Sequence, residues 1–104
     1  MGIDINEVIT NMLEAVKGSI KDDWNLVKET TNTYLTNCKG RLELLASMKL
    51  NGEIDTFFFQ KRLEDEKELL ESELHSIAVV NKVMAQNAAN FAIKVLEKSV
   101  MSIL

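Results

Sequence analysis

A chain of 104 residues with a formal charge of −4 is one domain by length, and a small one for burying a core unaided. Hydrophobic residues make up 46% but aromatics only 6%, and proline is absent, which predicts an all-α fold of long helices rather than a turn-rich sandwich. The acidic balance, with no stripe of Lys and Arg, excludes phosphate tracking as the main activity, so no nucleic-acid partner is expected.

The first helix announces its start at Ile3-Asp4-Ile5-Asn6-Glu7-Val8. Asp4 reads as N-cap, Glu7 as the N3 residue of a capping box, and Ile3 as the N′ residue that staples onto Val8. An apolar ladder follows through Ile5, Ile9, Met12, Val16, Ile20, Val27, Tyr34, Cys38, Leu42 and Leu45, with only Asp23 and Thr31 interrupting it. Its steps of four, three and four make an eleven-residue repeat, which keeps packed helices nearly straight. An unbroken helix from Asp4 to Met48 would be about 68 Å long. Gly18 and Gly40 weaken that reading, and a break at Gly18-Ser19 or Lys39-Gly40 stays open as an alternative.

The turn lies at the midpoint. Asn51-Gly52 can end a helix because Gly takes the left-handed conformation without a Cβ clash, and Ile54-Asp55 starts the next, with Asp55 as N-cap and Ile54 set to pack on Phe59. In the second helix a seven-residue spacing through Leu63, Leu70, Ile77, Met84 and Phe91 suggests a coiled-coil seam. An eleven-residue ladder through Phe59, Leu63, Glu66, Leu70, Leu74, Ile77, Asn81, Ala85, Ala88, Ala92 and Leu96 matches the first helix and is preferred.

Folding back at Gly52 brings the two ladders into phase. Leu45 then faces Phe59, Leu42 faces Leu63, Thr31 faces Leu74, Val16 faces Ala88 and Ile9 faces Leu96. The same register opposes Asp23 and Asn81 as a polar layer, unless Asp23 turns outward and Trp24 takes the inner position.

The expected architecture is therefore one domain, residues 1–104, built as a long antiparallel helical hairpin. Its helices cover about 4–49 and about 55–103, with a turn at about 50–54. A hairpin buries one stripe per helix, yet Val8, Leu13, Leu26 and Leu35 lie beside that stripe. So do Trp24, Phe57, Val80, Val83, Phe91 and Val95, and Phe57-Phe58-Phe59 fan too widely to meet one neighbour. The simplest cover is a second copy, giving a homodimeric four-helix bundle. Its expected interface comprises Trp24, Phe57, Val80, Val83, Phe91 and Val95, together with the small-residue face of Ala85, Ala89 and Ala92, which lets helices approach closely.

Chemistry-bearing patterns are sparse. Glu68, Glu71 and His75 share a helical face, but one His without a Glu-x-x-His pair reads as a solvated charged surface. Cys38, on the apolar ladder, reads as a buried thiol near Glu66 or Lys67. No catalytic, cofactor-binding or metal-ligating residue is assigned, and the expected role is a non-enzymatic protein–protein interaction or assembly protein. One cysteine allows no intrachain disulfide and suits a reducing, cytoplasmic setting. No run long and apolar enough to span a bilayer is present, and Asn6 breaks the myristoylation pattern after Gly2.

Two other readings follow from particular stretches. The charge-poor segment 76–104 suits contact with a membrane surface, although its three lysines fall short of the usual basic face, so membrane contact is not expected. In size, acidity and midpoint turn the chain resembles the secreted Trp-x-Gly family of helical-hairpin dimers, with Leu50-Asn51-Gly52 standing where that family has Trp-x-Gly. The resemblance implies a small exported hairpin, but the family's C-terminal Tyr-xxx-acidic signal has no counterpart here.

Overall fold

The ladder of apolar positions does form helices, but four of them among the described residues. In the computed structural model, which describes residues 2–104, α1 spans Ile5–Ile20, α2 Trp24–Leu50, α3 Thr56–His75 and α4 Lys82–Met101, with a 3₁₀ turn at Lys21–Asp23. The described residues contain no strand. Each helix packs on its chain neighbour and α4 closes back on α1, so the order around the bundle is α1, α2, α3, α4.

The expected hairpin is thus corrected in one respect: each of its two long helices is broken near the middle, and the hairpin is folded in half. Its pairing of halves survives, because α1 still packs on α4 and α2 on α3. Both pairs run antiparallel, with Gly18 near Asn87 but Val8 near Ser99, and Arg41 on Glu66 but Tyr34 near Glu73. The principal extents are 40 × 23 × 21 Å and the radius of gyration is 13.3 Å. That radius matches the ~13 Å of a compact domain of about 100 residues rather than a rod of about 68 Å. The long axis is set by the 27 residues of α2, which rise about 40 Å.

The polar residues on the ladder explain where the breaks fall. A continuous helix pair would bury Asp23 and Asn81 against each other, and an uncompensated charge in an apolar layer is costly. Instead both residues sit at the new turns, each as the N-cap of the helix that follows. Asn81 is exposed and its side chain accepts the Met84 amide at 2.9 Å. Asp23 is half-buried and makes no side-chain cap bond. Neither glycine breaks a helix: α1 runs through Gly18 and α2 through Gly40. The first break comes at Lys21, whose backbone is at φ 59°, ψ −113°.

The polar ladder residues inside the helices are satisfied differently. Thr31 is fully buried and its hydroxyl donates to the Val27 carbonyl at 2.9 Å. Glu66 is buried and receives two hydrogen bonds from Arg41. No buried side-chain nitrogen or oxygen among the described residues lacks a partner, as a well-formed core requires.

The midpoint turn forms as its residues direct. Gly52 stands at φ 76°, the Glu53 amide donates to the Met48 carbonyl at 2.8 Å and the Gly52 amide to Lys49 at 3.2 Å. Those two bonds are the paired closure of a Schellman motif, which needs a left-handed residue at C′. Asp55 caps α3 by accepting the Phe58 amide at 2.8 Å, and Asp4 caps α1 by accepting the Glu7 amide at 3.2 Å. At the α1 start only this Asp4 half of the reciprocal capping box forms.

Folding the hairpin over covers part of the surplus apolar surface from within the chain and leaves Leu26, Phe57, Val83 and Phe91 exposed. Val8, Leu35 and Val80, beside the hairpin seam, are buried in the single core. The small-residue face of α4 is buried too, with Ala85, Ala88, Ala89 and Ala92 at zero exposure. Phe59 is fully buried while Phe57 and Phe58 stay exposed, the outcome expected for three residues fanned over about 200°. Phe91, on the seven-residue spacing, is exposed, whereas Ala85, Ala88, Ala92 and Leu96 of the eleven-residue ladder are buried on α4; Asn81 of that ladder is exposed at the break.

Candidate functional site

The nine residues assigned to an interface divide into three groups. Val80, Ala85, Ala89 and Ala92 are buried in the core of the folded chain, where α1 and α3 pack over α4. Trp24 and Val95 are half-buried against the core. Phe57, Val83 and Phe91 are exposed, at 70%, 63% and 52%.

Two of these residues share one groove. The outer junction of α1 and α4 holds an open groove of about 680 Å³, lined on α1 by Glu14, Ala15, Gly18 and Ser19 and on α4 by Asn87, Phe91, Lys94, Val95 and Lys98, with Lys21 at its end. The α1 wall is low because three of its four residues are small. The α4 wall carries the apolar pair, Phe91 and Val95, four positions apart and therefore on one helical face. Gly18 is exposed, and a Cβ built on it would meet no atom within 4 Å. Trp24 lines a different groove, between α1 and α2, with Leu13 and Lys28 among its neighbours.

The groove is positive although the chain is negative. Lys21, Lys94 and Lys98 face Glu14 as the only acid in the lining. The ion pairs among the described residues are Arg41 with Glu66 and Lys67 with Glu64, so none of the three groove lysines is paired.

A second cluster lies between α2 and α3. Arg41 Nε donates to Glu66 Oε2 and Arg41 Nη2 to Oε1, each at 2.7 Å. Hydrogen bonding to Glu66 raises the Arg41 pKa further above its usual value. Burial raises the pKa of Cys38 and of Tyr34, which stand beside this pair. The Cys38 thiol also donates to the Leu35 carbonyl at 3.6 Å. This cluster holds a protonated thiol and a saturated ion pair, the opposite of what an activated nucleophile requires.

Glu68, His75 and their neighbours do not converge, and no group of three His, Cys, Asp or Glu among the described residues could hold a metal ion. No helix among the described residues is long and apolar enough to cross a membrane. The apolar stripe of segment 76–104 is turned into the core through Ala85, Ala88, Ala92, Leu96 and Val100. A surface role for that segment therefore rests on Val79, Val83, Phe91 and its last residues.

No protein-family model, curated protein or solved structure matches this chain.

Proposed function

We propose that the protein is a non-enzymatic helical interaction module, which works by docking other proteins against apolar side chains left on the outside of a completed bundle. The observation that carries this reading is the contrast between a core with every buried polar group satisfied and a surface that still exposes Leu26, Leu44, Phe57, Val83 and Phe91 by half or more. Single exposed apolar residues are ordinary on monomers, but an exposed aromatic beside a second apolar side chain in a groove, as Phe91 is beside Val95, suits an interaction surface.

The non-enzymatic part of the reading is supported by the chemistry of the buried groups. The carboxylate of Glu66 is fully engaged by Arg41, and Cys38 is held as a thiol by burial. Neither is free to move a proton or attack a substrate.

Photo-crosslinking tests the reading. A photoreactive residue is placed in turn at positions 57, 83 and 91 of the chain in its native host, with solvated position 68 as control. Discrete protein adducts from the three apolar positions and none from the control are expected. Absence of adducts at all three would sink the proposal.

Self-association is a second reading, favoured by the end of the bundle where α3 begins and α4 finishes. Phe57, Phe58, Met101, Ile103 and Leu104 are all exposed there. Antiparallel packing of α3 and α4, marked by the Gln60–Glu97 bond at 3.5 Å, places these residues at one end. Apolar association of this kind strengthens in a kosmotropic salt such as sulfate, and sedimentation equilibrium at low and high sulfate measures it. A monomer at every concentration and salt level rules it out.

A further inference from the structure

We propose that the groove between α1 and α4 receives an acidic amphipathic helix of a partner protein; this rests on the interaction reading above and adds the chemistry of the partner. Its shape suits a helix. Along α1 the lining runs from Glu14 to Ser19, with Lys21 in the turn beyond, and along α4 from Asn87 to Lys98, helical lengths of about 8 and 16 Å, or one and a half to three turns. The low wall of Ala15, Gly18 and Ser19 lets a backbone come close, while Phe91 and Val95 offer the apolar surface that an i, i+3, i+4 stripe covers. Gly18 disfavours its own helix and fills no internal need, since nothing lies within 4 Å of the position its Cβ would take.

Charge selects the occupant. Lys21, Lys94 and Lys98 stand around the apolar strip without ion-pair partners, against one Glu14. A helix with Glu or Asp flanking its apolar stripe places carboxylates beside all three ammonium groups, and complementary potentials of this kind set specificity and association rate. A second copy seated groove to groove would instead oppose three lysines to three lysines across a two-fold axis. Phe91 and Val95 on the same wall as Lys94 and Lys98 give an apolar surface that a phosphate backbone does not use.

The test uses the full chain and two labelled helical peptides about three turns long, with the same Leu stripe and either Glu or Lys on the flanks. Fluorescence anisotropy is expected to show binding of the Glu peptide, weakened about tenfold between low and physiological salt. Gly18→Leu fills the groove from a site with free space around it, so the variant keeps its circular dichroism and a thermal midpoint no lower than the wild type's, since Leu suits a helix better than Gly, but loses at least about tenfold in affinity. Lys94→Glu with Lys98→Glu is expected to exchange the preference toward the Lys peptide.

Equal binding by wild type and the folded Gly18→Leu variant would overturn the assignment, as would equal affinity for the Lys peptide or for a single-stranded oligonucleotide. So would a salt-sensitive dimer that competes with the peptide, since it would make a second copy the occupant. Persistence of crosslinks at positions 57 and 83 alongside any of these results leaves the interaction reading standing and removes only the groove.

Discussion

Arg41 holds Glu66 through two parallel hydrogen bonds of 2.7 Å, with the Glu66 side chain buried and the Arg41 side chain 43% exposed. This pair joins α2 to α3 at a position on the apolar ladder of α3. Removing the guanidinium alone leaves a carboxylate in the core. Arg41→Met is expected to cost about 2 kcal/mol, below the roughly 3–5 kcal/mol of a fully enclosed pair because water reaches the open side. The double variant Arg41→Met with Glu66→Leu is expected to match or exceed the wild type. Urea unfolding of the three proteins checks both statements.

Lys21 is the only non-glycine among the described residues with positive φ, at 59°. Its conformation is one that favours glycine, and a non-glycine residue there stores about 1–3 kcal/mol of strain. Lys21→Gly relieves that strain while adding freedom to the unfolded chain, so a net gain of about 1 kcal/mol is expected. Thermal unfolding measures it as a rise of about 4–8 °C for a domain of this size.

The glycines separate by backbone angle. Gly18 and Gly40 lie inside helices with open space around a would-be Cβ, so alanine at either site is expected to stabilise by up to about 1 kcal/mol. Gly52→Ala is expected to destabilise by about 1–2 kcal/mol, because φ 76° brings a Cβ against the following carbonyl. Chemical denaturation of the three single variants should order them accordingly.

Cys38 links stability to alkaline pH. Burial raises its pKa above the ordinary 9.0, and Tyr34 beside it is raised above 10.0 for the same reason. The folded state therefore keeps protons that the unfolded state releases, so their contribution is fully present below pH 9 and is lost as pH rises through the folded pKa values. Stability measured from about pH 8 to about pH 11 is expected to fall, and Cys38→Ala with Tyr34→Phe to flatten that fall. Native-state alkylation of the thiol at about pH 8 is expected to be slow, since the thiolate is the reactive form.

Alanines and aromatics on α4 should respond in opposite ways. Ala88 is at zero exposure, so Ala88→Leu is expected to cost about 1–3 kcal/mol through overpacking. Phe91 is 52% exposed, and Phe91→Ser is expected to change stability by no more than about 0.5 kcal/mol while weakening partner binding. Thermal melts together with peptide anisotropy separate the two effects.

Much of the helix punctuation is legible in the sequence because it depends on local chemistry. Asp4, Asp55 and Gly52 act at the backbone within three residues, and each does in the folded chain what its side chain predicts. The turns at Lys21–Asp23 and between α3 and α4 escape a sequence reading because neither contains Gly or Pro. Their signals are weaker: Asp23 and Asn81 as polar residues on apolar ladders, and the β-branched cluster Ile77, Val79, Val80, which disfavours helix. The groove is half legible. Phe91 and Val95 stand out as surplus apolar residues, whereas Ala85, Ala89 and Ala92 look identical in sequence whether they face a partner or their own chain.

The order of residues by itself determined the helical periodicity, the midpoint turn and the antiparallel pairing of the two ladders, since these follow from backbone geometry and from burying one apolar stripe on another. Whether the second apolar face met another molecule or the same chain was decided only in three dimensions. Two polar residues, Asp23 and Asn81, come to the same level of the ladder, where hydration at a turn is cheaper than burial in a continuous layer. Bending there let one chain enclose its own core and left Phe91 and Val95 on the wall of a lysine-bearing groove.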